Sequence, residues 1–437
     1  MPNIRWADAV DGIFGNAVAW LGGVVPNQFS NIYLDAAGPA FTVLAESGLL
    51  SQPDIVVNSI QSSSNATLKI VGGQQVIGDL LGLTTNFTDL TGTALGANLG
   101  QIVIQNSLSK NLVGTLTGAS AIFHVNGVFN NVGRIELVAE NAALPVLGQA
   151  QAVFNVQKVR RLTGGGTVLL TSSLNNVIEG TIAASTLYNI NNKIIGAGLL
   201  GNGRLTLVNE VAGLIDGSSS QVALIIDTGA KTITNNGLIE GTGLGGTFVK
   251  SGLLNNGTLL ASLGALTLAG PVTGLGIAQI ARGGSLNFLS GFTQNVSFLG
   301  GGGILKLANP QAYTGKITGF SRLGSTAIDL TKFAFGPLVT TNFKGNSLGG
   351  VLTIVDGGQT AHLSLVGNYL NTAFKAINDG AGGTKIVGGG LLPTSAPALV
   401  GAMAGFGATS AGGTGSLATA HQGPANAMIV APHAVYA

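Results

Sequence analysis

The stretch NNKIIGAGLLGNGRLTLVNEVAGLIDGS at 191–218 continues as ITNNGLIEGTG at 233–243 and LLNNGTLLAS at 253–262. The unit is an Asn-rich turn, a small apolar strand, then Gly followed by Thr or Ser. It extends back through LNNVIEGT at 174–181 and FNNVGRIELVAE at 129–140. Asn175 and Asn191 lie 16 residues apart, Asn209 and Asn235 lie 26 apart, and Asn235 and Asn255 lie 20 apart. Periods of this size mark solenoids, propellers or arrays. The segments between turns are short, as in RLTLV (204–208), ALII (223–226), KTIT (231–234) and ALTLA (265–269). They cannot hold the helices of leucine-rich or ankyrin repeats. Leu205 with Leu207, and Leu224 with Ile226, alternate toward one side. Two or three such strands close one coil of a parallel β-helix, whose inward Leu, Ile and Val stack on those of the next coil about 4.8 Å away. Asn suits the corners because its amide bonds local backbone and tolerates left-handed geometry, and stacked Asn can bond from coil to coil. Asn236-Gly237 and Asn256-Gly257 also fit tight hairpin loops. No four-strand blade of roughly 40 residues recurs, however.

Composition agrees. The chain has 437 residues, of which 70 are Gly, more than twice the average usage of about 7%. Charged residues make up 8% and hydrophobic residues 45%, which excludes a disordered, charge-rich chain. The 12 prolines and the lack of a Gly-X-Y period exclude collagen. Net charge is +2, and the one tight basic cluster, Lys158, Arg160 and Arg161, reads as a solvated strand end. Nucleic acid is therefore not an expected partner. Cysteine is absent, which removes disulfides, thiolate metal sites and cysteine nucleophiles. Asp8 and Asp11 interrupt the apolar stretch that a cleavable leader needs, and no apolar run is long enough for a membrane-spanning helix.

The expected fold is all-β, a right-handed parallel β-helix with a C-terminal β cap and a flexible tail. Residues 1–50 form an N-terminal capping segment, 51–310 the β-helix, 311–390 a C-terminal β unit and 391–437 the tail. Trp6, Phe14 and Trp20 are the candidate cap, shielding the open edge of the first coil. The alternative use of these rings is a platform for stacking carbohydrate.

Four stretches carry a family resemblance. They are Trp6 to Pro26 with W…G-x-F…A-x-W-x-x-G-x-V-P, residues 191–218 with their continuation, ILKLANPQAYTGKITGF at 304–320, and VLTIVDGGQTAHLSLVGNYLNTAFKAINDGAGGTKIV at 351–387. Together they resemble bacterial autotransporter- and haemagglutinin-like β-helix proteins, as an adhesin-like passenger without the membrane barrel. The resemblance implies a secreted or cell-surface structural or adhesive role. It does not imply a catalytic one.

The search for chemistry gives little. Gly196, Gly198, Gly201 and Gly241, Gly243, Gly246 match G-x-G-x-x-G, but strands follow where a dinucleotide site needs a helix. Both read as turns. His124, His362, His421 and His433 are scattered, with no metal-ligand spacing. DGAGGT at 379–384 reads as a β-turn, not a Ca²⁺ nonapeptide. No cofactor and no metal is expected. The acidic feature is a ladder: Glu179, Asp216 and Glu240 hold the same place in VIEG, LIDG and LIEG, where other coils have Ile195 and Leu260. Stacked carboxylates can bind Ca²⁺ or act as an acid/base pair on a glycosidic bond. The plainer reading is a solvated corner with screened charges.

The function expected is a non-enzymatic structural or adhesive protein whose partners are cell-surface or extracellular glycan or further copies of itself. The alternatives are a polysaccharide-active hydrolase or lyase using the acidic ladder, and an inert spacer. The tail 391–437, rich in Ala, Gly, Ser and Pro, also reads as an uncleaved C-terminal export signal. Fused to a reporter, it is expected to carry that reporter out of cells holding the cognate exporter; retention inside such cells would refute the reading.

Overall fold

A computed structural model describes residues 2–46, 55–72, 88–92, 96–110, 116–125, 128–140, 150–182 and 184–392. The tail expected over 391–437 lies outside these residues from 393 onward. The described chain is a parallel β-helix with three walls. Sheets of 11, 16 and 14 strands stack in parallel through the coils, and each full coil gives one strand to each wall. One coil runs through Gly198–Gly201 in the third wall, Thr206–Asn209 in the first and Leu214–Gly217 in the second. The next repeats this with Leu224–Ile226, Ile233–Asn235 and Leu238–Gly241.

Alternation with period two places half of each strand inside. One interior column of the second wall runs Ile102, Ile135, Val168, Ile194, Ile215, Ile239, Leu259, Ala278, Val296 and Ile317, paired in register coil after coil. All of them are fully buried. Burying one such aliphatic side chain is worth roughly 1.5–3 kcal/mol, so the columns supply the bulk of the driving force.

The corner between the first and second walls is different. Asn98, Asn131, Asn189, Asn192, Asn209, Asn235 and Asn255 all point inward there and are essentially inaccessible to solvent. Asn209 Nδ2 donates to Asn235 Oδ1 at 2.9 Å, and Asn235 Nδ2 to Asn255 Oδ1 at 2.7 Å. The remaining amide capacity serves corner carbonyls: Asn209 Nδ2 also reaches Gly213 O and Leu238 O, each at 3.1 Å. The N-N-G triplet follows from this geometry. The first Asn enters the ladder. The second sits outside, where Asn256 Nδ2 donates to Asn236 Oδ1 at 3.3 Å. The Gly lies where a Cβ would collide with the coil beneath, against Asn209 Nδ2 at Gly237 and against Gly237 O at Gly257.

Spacing along the chain is uneven. Asn98 and Asn131 are 33 residues apart, Asn189 and Asn209 are 20 apart, and Asn209 and Asn235 are 26 apart. One expected period does not survive. Asn175 and Asn191 are not one coil apart, because Asn175-Asn176 lie at the corner leading into the third wall. There Asn176 Oδ1 accepts from Ala139 N at 2.8 Å.

The domain boundaries shift as well. Asn3–Arg5 already pairs in parallel with Asn31–Tyr33, so coiling begins inside residues 1–50. Ala327–Leu330 still pairs in parallel with Ile304–Leu307, so it runs past 310. What closes the far end is antiparallel. Val339–Asn346, Gly349–Asp356 and Thr360–Val366 form a meander that joins the second wall. Thr372–Asn378 and Gly383–Leu391 extend the third. The first wall stops at Val272–Thr273. Beyond it the interior is filled by Phe292, whose ring stacks between Phe288 and Tyr313.

Removing one ladder amide orphans several buried groups, each worth about 1–3 kcal/mol. Asn235→Ala is expected to cost roughly 3 kcal/mol in chemical denaturation, and Asn256→Ala, on the exposed side of the same corner, no more than about 0.5 kcal/mol.

Candidate functional site

Asp216 and Glu240 are paired in register on adjacent strands of the second wall, Leu214–Gly217 and Leu238–Gly241. Their side chains leave the same outer face one strand spacing apart, roughly 4.8 Å between strands. Ile195 precedes them in this column and Leu260 follows. The surroundings of the two carboxylates are unequal. Asp216 is only 7% exposed. Its Oδ1 accepts from Thr242 N at 3.1 Å and its Oδ2 from the Thr242 hydroxyl at 2.7 Å. Glu240 is half-buried, and among the described residues no donor meets its carboxylate. Thr247 locks the corner beside them: its hydroxyl accepts from Gly217 N at 2.8 Å and donates to Glu240 O at 2.5 Å.

Burial, with the Asp216 charge adding to it, pushes the Glu240 carboxyl up to about 7. Burial raises Asp216 as well, opposed by the two Thr242 bonds. Hydrogen bonds to the charged form favour ionisation, so of the two groups Glu240 is the more readily protonated. Thr242 and Thr247 are the residues that sequence reasoning missed. The signal for Thr242 was present in the Gly-Thr step of LIEGT, directly after Glu240.

Glu179 does not belong with this pair. It stands on the third wall, in Asn176–Gly180, in register with Gly201. Its carboxylate accepts from Asn202 Nδ2 at 2.8 Å. The three-member ladder expected from VIEG, LIDG and LIEG is therefore a two-member pair, because the same local motif ends strands on two different walls.

The remaining expectations resolve as follows. Trp6, Phe14 and Trp20 meet edge to face, with ring centroids 4.9 and 5.0 Å apart. Their indoles donate inward, Trp20 Nε1 to Phe14 O at 2.8 Å and Trp6 Nε1 to Val10 O at 3.1 Å. All three rings are 1–2% exposed, so protein already covers the faces that a sugar would stack on. The basic cluster is not a solvated strand end throughout. Arg160 is buried and donates to Val125 O and Val159 O, and burial lowers its pKa. Arg161 faces out and lies over the Tyr188 ring.

Gly196, Gly198 and Gly201 adopt positive φ at strand ends, and a strand follows them. His124 Nδ1 lies 3.3 Å from Gln157, and His362 Nδ1 lies 3.1 Å from the Thr353 hydroxyl. His421 and His433 fall outside the described residues. Asp379 closes a turn, its Oδ1 accepting from Ala381 N and Gly383 N. Among the described residues no three His, Asp or Glu side chains are grouped to hold a metal ion. None of the described helices is long and apolar enough to cross a membrane.

Compared with known proteins, the chain matches no protein-family model, no curated protein and no solved structure.

Because Asp216 and Glu240 share an environment, their substitutions are expected to be non-additive. A double-mutant cycle of Asp216→Asn and Glu240→Gln should show a coupling of roughly 0.5–3 kcal/mol. Combining either with Glu179→Gln should give additive denaturation energies.

Proposed function

We propose that this protein is a non-enzymatic structural or adhesive component, secreted or held at a cell surface, which makes its contacts through the outer faces of the β-helix walls. A relationship to autotransporter- and haemagglutinin-like adhesins is part of this proposal. The observation that carries it is the character of the second wall's exterior. Leu169, Ile195, Leu214, Leu238, Leu260 and Ile277 stand outward on successive coils, all part-exposed or exposed. They lie on both sides of the Asp216–Glu240 pair, and exposed apolar side chains clustered among polar ones are the usual mark of a contact surface.

The ends of the β-helix suit this division of labour. At the N-terminal end residues 19–21 run antiparallel across the first wall's edge strand at Arg5–Ala7, and the C-terminal edge of the second wall turns antiparallel and carries Lys344 on its outermost strand. Such devices oppose end-to-end addition of further strands. Lateral faces are left for glycan, for other surface material or for a second copy.

A second reading, polysaccharide cleavage, is favoured by one observation: a proton-holding Glu240 stands beside a hydrogen-bonded Asp216. Against it, both Asp216 oxygens are already engaged by Thr242, and the carboxylate is buried. A nucleophile or general base needs a free lone pair within reach of the substrate.

The test uses the full chain on cell-surface polysaccharide. Retention is expected to fall about tenfold, or about 1.4 kcal/mol, in a Leu238→Lys, Leu260→Lys variant that remains folded. Asp216→Ala with Glu240→Ala should change no turnover. Turnover of polysaccharide that these two alanines abolish would replace the adhesive reading with the enzymatic one.

A further inference from the structure

We propose that Asp216 and Glu240 form a pH-sensitive clasp between two coils, closed while Glu240 holds a proton and loosened when both are ionised. The geometry requires them to be neighbours. They are paired Cα to Cα on adjacent parallel strands, and neither strand can shift without breaking the interior column that contains Ile215 and Ile239. Thr242 fixes the Asp216 carboxylate by two bonds, and Thr247 ties Gly217 N to Glu240 O, which holds the backbone beneath the pair.

Compensating charge is lacking on the elements around them. The strands stacked on either side are Lys193–Gly196 and Thr258–Ala261. Of their side chains, Lys193 is the only charged one, and it stands in register with Leu214, off the column of the pair. The corner segments 196–198, 218–223, 242–246 and 261–264 contain no titratable residue. The nearest acid at the opposite corner, Glu210, accepts from Asn236 Nδ2 at 3.2 Å.

The sign follows from linkage. A carboxyl raised in the folded state binds a proton that the unfolded chain releases. Stability from this pair is therefore fully present below the ordinary glutamate range, near 4.5, and is lost as pH rises through the folded value of about 7. The loss falls on the corner that Thr242 and Thr247 hold. The amides of Gly217 and Thr242 are the reporters, since each donates to a group of the clasp.

The experiment is hydrogen exchange by mass spectrometry on the full chain, corrected for intrinsic rates, together with melting curves from pH 5 to pH 8. In wild type, protection of the peptides covering 214–222 and 238–247 should fall about tenfold over that range, with the melting temperature falling alongside. Glu240→Gln should remove both changes, and peptides around 304–318 should respond to neither pH nor substitution. Equal losses in wild type and Glu240→Gln would overturn the proposal. Should that variant fail to fold, carboxyl NMR of glutamate-labelled wild type decides the question. One glutamate titrating near 7 supports the clasp, and all of them titrating in the ordinary range sinks it. Neither readout depends on adhesion, so the clasp and the proposed function can fail separately.

Discussion

Within an interior built of Leu, Ile and Val, a single file of amides runs up one corner of the β-helix. From Ser62 through Asn98 and Asn131 to Asn192, and from Asn189 through Asn209, Asn235 and Asn255 to Gln294, each donor reaches an acceptor nearer the C-terminal end. Asn189 Nδ2 joins the two runs by donating to Asn192 O at 2.9 Å. Because all the donors point the same way, each bond polarises the next. A buried amide without its partner is expensive, so within each run every amide is set where the last one can reach it. A slip of one residue would send every amide outside and bring a surface side chain into the corner. Aliphatic columns reward any inward fit; within a run the amides accept one register, and between the runs the file steps by two residues, Asn189 standing opposite Leu162 and Phe129.

Between Asn98 and Gln294 two coils lack the corner asparagine, and their repair shows how strict the requirement is there. In one, the corner reads Thr163-Gly164-Gly165-Gly166. The Asn192 side chain reaches back from the following coil, donating to Thr163 O at 2.8 Å and accepting from Asn131 at 2.9 Å. In the other, the corner is Thr273-Gly274, and the longer Gln294 spans the gap to Asn255 at 2.8 Å while serving Thr273 O at 3.1 Å. A Cβ at Gly166 or Gly276 would press on the ladder amide of Asn131 or Asn255. Glycine is thus placed where a neighbouring amide needs the room.

This explains how much of the molecule was legible in its sequence. The strands, the inward Leu205, Leu207, Leu224 and Ile226, and the coil-to-coil role of Asn209, Asn235 and Asn255 could all be read, because the ladder repeats the same letters at each turn. The wall to which a motif belongs could not. VIEG and LIEG are locally alike, yet Glu179 and Glu240 end strands on different walls, since loops of unequal length decide where on the triangle a strand falls. The inward direction of the first Asn in each N-N-G was hidden for a similar reason: a turn residue and a core amide carry the same letter. The roles of Thr242 and Thr247 were not legible, although Thr242 stands in the repeated Gly-Thr step, because their partners lie in the preceding coil or across a corner.

The low charge of the chain follows from the same stacking. In a parallel, in-register solenoid every outward side chain meets its counterpart one strand spacing away. Threonine and amide columns gain hydrogen bonds from that proximity, as Asn287 does with Thr267 at 2.9 Å, whereas like charges repel. Where charges do stack on the third wall they alternate in sign, as Lys306, Asp329 and Lys385, with Lys306 Nζ 3.3 Å from Asp329. Asp216 over Glu240 breaks that rule between two apolar neighbours. A fold whose register is fixed from inside cannot relax such a pair by sliding, and taking up a proton is one way to relieve it. The interior amide file thereby sets the chemistry of the surface: it keeps Asp216 and Glu240 in register on adjacent strands, where a freer backbone would let them part.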